Sequence, residues 1–106
     1  MITQADIQKM VDIIADQFHP EKIILLGSRA RGSARPGSDV DLLVIAASAA
    51  PRWERAAPLY GYLRHFLFPI DIVVYTPEEI REWSGVPEAF VPRALAEGKV
   101  LYERSA

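Results

Sequence analysis

Ile23-Ile24-Leu25-Leu26-Gly27-Ser28-Arg29-Ala30-Arg31-Gly32-Ser33-Ala34-Arg35-Pro36-Gly37-Ser38-Asp39-Val40-Asp41-Leu42-Leu43-Val44 is the stretch around which the remaining residues must arrange themselves. It reads as a strand, a Gly-Ser turn, a short basic helix, a Gly/Pro loop and a second strand that opens on two acids. Residues 23–26 form a short apolar run closed by Gly27, the pattern of a buried strand. Ser28 is a favourable N-cap, so a helix start is predicted there, with backbone N–H groups turned outward. Such an end attracts anions, and Arg29, Arg31 and Arg35 add positive charge around it. Asp39 and Asp41 stand two apart, and strand side chains repeat every two residues, so both carboxylates are expected on one face. Their α-carbons would lie about 6.5–7 Å apart, close enough for the carboxylates to converge on one cation. A phosphate cradle beside paired acids is what metal-assisted phosphoryl or nucleotidyl transfer requires.

Bulk properties narrow the possibilities around that stretch. At 106 residues the chain is expected to make one domain, burying roughly 65% of its unfolded surface without staples. Half of the residues are hydrophobic and a quarter charged, which is ordinary globular composition. The absence of cysteine excludes disulfides and thiolate metal sites. Met1 to Asp6 lack the basic start and apolar core of a signal peptide, and no uncharged apolar run approaches the ~20 residues a membrane helix needs. A cytoplasmic location is therefore expected. The net charge of −2 gives no large nucleic-acid footprint, so direct nucleic-acid binding is not expected. The basic residues near Gly27 are local and suit a phosphate rather than a polymer.

Outward from the opening stretch, Thr3 and Asp6 predict a capped helix whose apolar stripe is Ile7, Met10, Val11, Ile14 and Phe18. Pro20 ends it, because it disfavours helical geometry at His19. In the strand after the loop, Val40, Leu42 and Val44 face one way, and Asp39, Asp41, Leu43 and Ile45 the other. Residues 52–67 favour a helix that Pro58 must kink or restart. Ile70 to Tyr75 is a β-branched run, a third strand interrupted by Asp71. Thr76-Pro77-Glu78-Glu79 is a strong helix start, and Gly85 and Pro87 stop that helix near Trp83. A last short helix is expected over 88–97, possible disturbance coming from Pro92 and its end from Gly98. Residues 99–102 complete the series as a strand. The order α-β-α-β-α-β-α-α-β argues for an α/β (α+β) fold, a small mixed sheet with packed helices.

Gly27-Ser28, ten intervening residues and Asp39-Val40-Asp41 resemble the signature of the DNA polymerase beta-like nucleotidyltransferase superfamily. The short length is similar to that of the minimal nucleotidyltransferases, the MNT antitoxins found with HEPN toxins. The resemblance covers nearly the whole chain. It implies that Asp39 and Asp41 ligate Mg²⁺, a hard cation suited to carboxylate and phosphate oxygens. It places a third carboxylate on the following strand, which Asp71 matches, as general base for an acceptor hydroxyl and as a further metal contact. Gly27 and Ser28 would hold the phosphates of ATP, with Arg31 as the better basic partner and Arg29 left open. The implied acceptor is a tyrosine hydroxyl of a HEPN toxin, adenylylated by its antitoxin in a type VII-like pair.

Blander readings stand beside these. Acids near a Gly-Ser-Pro loop are commonly turn formers and caps, and Asp71 alone could be a strand-start residue bonded to nearby backbone. His19 and His65 have no ligand spacing and read as structural. Ser28, Ser33 and Ser38 have no paired histidine, and the glycine pattern is not a P-loop. One alternative function is modification of a small molecule such as an aminoglycoside, although such enzymes carry a further substrate domain. Another is an antitoxin that neutralises by binding alone. Trp53, Tyr60, Tyr62, Phe66, Leu67, Phe68 and Trp83 exceed what one small core hides, so a partner surface is expected among them.

Overall fold

Helix α1 (Gln4–Phe18) begins at the predicted cap. The Thr3 hydroxyl accepts from the Asp6 N–H at 3.1 Å and the Asp6 carboxylate accepts from the Thr3 N–H at 2.8 Å, a reciprocal capping box. It ends where Pro20 requires: His19 takes a left-handed conformation (φ 51°) and donates its N–H to the Ala15 carbonyl. The computed structural model describes residues 2–105. After α1 the chain runs through β1 (Lys22–Leu26), α2 (Gly27–Arg31), β2 (Val40–Ile45), α3 (Arg52–Arg55), α4 (Ala57–Tyr62) and β3 (Ile70–Tyr75). It closes with α5 (Pro77–Trp83), α6 (Phe90–Glu97) and β4 (Lys99–Glu103).

The four strands form one mixed sheet in the order β3-β2-β1-β4. β1 is antiparallel to β2 and to β4, while β2 and β3 run parallel in register from Val40↔Ile70 to Ile45↔Tyr75. A register shift between Ile23 and Ile24 interrupts the β1–β4 ladder, the local signature of a bulge. Alternation along β2 divides its side chains between two cores, as its sequence predicts. Val40, Leu42 and Val44 join Met10, Ile14 and Leu59 beneath α1 and α4. Leu43 and Ile45 join Ile24, Tyr75, Val91 and Ala94 beneath α6. Met10, Ile14 and Leu59 are fully buried, and each such side chain contributes roughly 1.5–3 kcal/mol of apolar burial.

Four local expectations need correction. Ser28 does not cap α2; the N-cap position lies two residues earlier, at Leu26, and makes no side-chain bond. The left-handed Gly27 (φ 71°) turns the chain straight from strand to helix, which leaves no extended residue for Ser28 to occupy. The helical segment expected over 52–67 does restart at Pro58, which lies in the first turn of α4, where a missing N–H is harmless, but it ends at Tyr62 rather than Leu67. The last helix starts at Phe90 rather than Glu88, and Pro92 falls within its first turn and does not disturb it. Finally, β2 begins at Val40, so Asp39 lies on the loop just before the strand.

The exposed edge of β3 is guarded by side chains. The Ile72 N–H donates to the Tyr60 hydroxyl at 2.8 Å, and Arg55 donates to the Val74 carbonyl at 3.2 Å. Arg55 also pairs with Glu79, 2.6 Å away, and Glu79 in turn completes a capping box with Thr76 at the start of α5. Edge strands need such covers because their free backbone groups invite foreign pairing. No helix among the described residues is long and apolar enough to cross a membrane.

Candidate active site

Three elements meet where β1 passes into α2. Leu26 is opposite Asp41 across the antiparallel β1–β2 pair, and Asp41 is level with Asp71 across the parallel β2–β3 pair. Gly27 therefore follows directly beside the Asp41 carboxylate. A Cβ at Gly27 would stand 2.6 Å from Asp41 Oδ2, closer than real contacts allow, so this approach requires glycine. Leu26, Gly27, Asp41, Asp71 and Phe90 line one concavity of about 300 Å³. A second of about 430 Å³ adjoins it, sharing Leu26, Gly27 and Phe90 and adding Arg31, Arg93 and Glu97.

The acids feel one another. Partial burial pushes the Asp41 carboxyl above its usual range, and the Asp71 and Asp39 charges push it the same way. Two carboxylates held side by side in adjoining strands resist joint ionisation unless a cation joins them. Asp39 is solvent-exposed on the loop and does not line either concavity. Among the described residues, no three acid, histidine or cysteine side chains form a ready metal cage. The pair Asp41–Asp71 is thus drawn together by the sheet, while Asp39 approaches from the loop.

The basic residues divide their work. Arg31 lines the larger cleft. Arg29 instead turns back, its Nε and Nη2 donating to the Ser38 carbonyl at 3.2 and 2.8 Å. Ser28 offers its carbonyl to the N–H groups of Gly32 and Ser33. At five residues, α2 has little macrodipole, so charge near Gly27 comes mainly from arginine. His19 serves as the left-handed end of α1, its carbonyl accepting from Arg104. His65 packs its ring 4.4 Å from that of Phe66.

Phe90, Arg93, Ala94 and Glu97 were not singled out by the sequence as site residues. Arg93, Ala94 and Glu97 follow Phe90 by three, four and seven residues, which places them on one helix face, and that face forms the far wall of the cleft. Tyr60 was grouped only with the aromatics, yet its hydroxyl stands near Asp71. Burial, with the Asp71 and Asp41 charges, holds that hydroxyl above the usual phenol range against the opposing pull of the Ile72 N–H. Of the seven apolar side chains expected to form a surface, Trp53, Tyr60, Tyr62, Leu67 and Trp83 are exposed, Trp53 by 81% and Leu67 by 95%. Phe66 and Phe68 pack against the core. An open groove beside β3 is lined by Arg52, Trp53, Ala56, Tyr60, Ile72 and Val74.

A four-stranded mixed sheet with helices on both faces, a glycine turn laid against its acids, is the architecture of a nucleotidyltransferase fold. The chain belongs to the family described as Polymerase beta, Nucleotidyltransferase, which matches residues 8–106. Among solved structures it is similar to a Sulfolobus solfataricus protein assigned by inference as a nucleotidyltransferase (22% identity, 92% of this chain and 78% of that one, TM-score 0.63). It is also similar to a chain of a toxin–antitoxin structure with AMP-PNP (24% identity, 92% and 74%, TM-score 0.58). A third neighbour is a chain of the toxin–antitoxin MntA-HpeT carrying two aspartate-to-glutamate substitutions (22% identity, 92% and 73%, TM-score 0.56). At these identities the likenesses concern the fold. Comparison with curated proteins gives no match.

Proposed function

We propose that this chain, read as one minimal nucleotidyltransferase domain, moves AMP from ATP to a hydroxyl of a partner toxin. By resemblance the partner is a HEPN-type protein, the acceptor a tyrosine, and the chain its antitoxin, acting in the cytoplasm. The observation that carries the reading is the contact of Gly27 with Asp41, alongside Asp71 level with it in the next strand. The backbone at Gly27 offers the triphosphate a close approach, and Arg31 in the adjoining cleft supplies charge for its oxygens. The donor set fits Mg²⁺: carboxylate oxygens only, crowded enough that Asp41 resists ionisation. Held by Asp39 and Asp41 with Asp71 beside them, the cation would neutralise charge on the phosphate oxygens.

Asp71 accepts the proton of the acceptor hydroxyl as its oxygen attacks the α-phosphorus of ATP. The new oxygen–phosphorus bond forms as the α-phosphorus loses its bond to the bridging oxygen, and pyrophosphate leaves. Trp53 and the β3 groove offer a partner an apolar seat beside Asp71. The toxin–antitoxin neighbours, one with AMP-PNP and one altered at two aspartates, support the assignment.

The test is incubation of the purified chain with labelled ATP, Mg²⁺ and its genomic neighbour, followed by mass analysis of that neighbour. Added AMP on a tyrosine is expected, and Asp39→Asn or Asp41→Asn should reduce it by orders of magnitude. Silencing of the neighbour without modification would favour occlusion, and efficient adenylylation of a free small molecule would overturn the protein-acceptor reading.

A further inference from the structure

Arg29 belongs to the basic helix after the glycine turn, yet it does not line the cleft that Arg31 lines. Nε and Nη2 both donate to the carbonyl of Ser38, at 3.2 and 2.8 Å. Ser38 closes a small turn of its own. Its N–H donates to the Arg35 carbonyl and its hydroxyl accepts from the Arg35 N–H, both at 2.9 Å. One residue beyond Asp39, the Val40 N–H donates to the Pro69 carbonyl at 3.0 Å. The backbone is thus pinned on both sides of Asp39. The Asp39 carboxylate itself is exposed and takes no protein hydrogen bond among the described residues.

We propose that Arg29 is a positioning residue, whose fork on the Ser38 carbonyl fixes Asp39 for a divalent cation shared with Asp41. The inference rests on the nucleotidyltransferase reading and adds to it a division of labour between two neighbouring arginines. Asp39 needs such a device because β2 begins only at Val40, so sheet register alone does not place it. Residues 32–37 are exposed throughout, and an untethered loop of that kind samples many conformations. A tether through the preceding carbonyl restrains Asp39 without neutralising it, which a direct Arg29–Asp39 ion pair would do. The planar fork matters more than the charge, since lysine presents a point charge and no paired N–H groups in fixed geometry.

Arg29→Lys separates this role from phosphate binding. Mn²⁺, a paramagnetic ion that also suits carboxylates, serves as the probe, with binding followed by electron paramagnetic resonance in the absence of nucleotide. Residues that orient metal ligands typically cost about 10–100-fold in metal affinity when altered, so Arg29→Lys should weaken Mn²⁺ binding at least about tenfold. The Mg²⁺ concentration for half-maximal transfer should rise in parallel, while KM for ATP at saturating metal changes less than about twofold. Arg31→Gln should do the reverse, raising KM for ATP and sparing Mn²⁺. Ser38→Ala, which loosens the Arg35–Ser38 turn and leaves Arg29 in place, should weaken Mn²⁺ in the same direction by a smaller factor. It carries the comparison if the Arg29 variant does not fold.

Wild-type Mn²⁺ affinity in a folded Arg29→Lys variant would overturn the proposal. So would loss of ATP affinity with Mn²⁺ binding intact, which would make Arg29 a phosphate ligand. Failure of the wild-type chain to bind Mn²⁺ in a manner abolished by Asp41→Asn would overturn the metal reading beneath it, and the proposal with it.

Discussion

Two glycines of the same local conformation make a matched pair of substitutions. Gly27 (φ 71°) and Gly32 (φ 75°) both sit in the left-handed region, but a Cβ at Gly32 meets nothing within 4 Å. An L-residue in that region costs about 1–2 kcal/mol, so Gly27→Ala and Gly32→Ala share this backbone cost. In a domain of this size each should lose roughly 4–16 °C of Tm, at about 4–8 °C per kcal/mol. Only Gly27→Ala carries a second effect. Ordinary Cβ contact begins near 3.4 Å, whereas Asp41 Oδ2 would stand at 2.6 Å; the difference, 3.4 − 2.6, asks the carboxylate to retreat by about 0.8 Å. A misplacement near 1 Å at reacting groups can cost about a hundredfold in rate. Gly27→Ala should therefore lose about two orders of magnitude of AMP transfer and weaken Mn²⁺ binding, while Gly32→Ala keeps transfer within a few-fold. The assay is initial-rate transfer at a temperature where both variants are folded by circular dichroism. Equal losses in the two variants, or wild-type transfer by Gly27→Ala, would refute the idea that close contact with Asp41 matters.

Asp41 also makes metal-free stability depend on pH. Its raised folded value means that the native state binds the extra proton, so the contribution of Asp41 to stability is greatest in acid and falls as pH rises from about 3.8 through the folded value. Asp41→Asn should remove this dependence and raise the Tm of the EDTA-treated protein at pH 7, whereas Mg²⁺ should stabilise the wild type alone. Glu79 acts in the opposite sense: the Arg55 hydrogen bond holds its carboxyl below the usual range, so its stabilisation is present above the unfolded value and is lost as pH falls through the folded one. Glu79→Gln should cost about 1–2 kcal/mol at pH 7 and leave the acid limb of the Tm profile flatter. Asp71→Asn should cut turnover while sparing ATP–Mg²⁺ affinity if proton removal is its main task; a parallel collapse of affinity would make it a metal ligand instead.

Much of the architecture follows from short-range chemistry. Thr3 with Asp6 and Thr76 with Glu79 start two helices because a cap needs only residues three apart, and both boxes form. Ile70 to Tyr75 is a strand over the expected residues and Val40 to Ile45 a strand with only Asp39 left outside it, since their β-branched, alternating patterns are properties of consecutive side chains. The face on which Asp41 lies was also legible, because strand alternation is local. What lies beyond that reach was decided by tertiary structure. Asp41 and Asp71 come level only through the parallel β2–β3 register, a long-range pairing that residues thirty apart do not encode locally. Asp39 falls outside β2 because the ladder starts with the Val40 N–H on Pro69, and no strand propensity at Asp39 could reveal that partner. Ser28 loses its capping role to a helix start at Gly27, where the same left-handed turn brings the backbone against Asp41. Phe90 and Arg93 reach Gly27 because α6 packs beneath the sheet through Val91 and Ala94. Local sequence thus supplied the chemical groups and their element types, while strand register and helix packing chose their neighbours, because those choices depend on contacts that form only once the sheet exists.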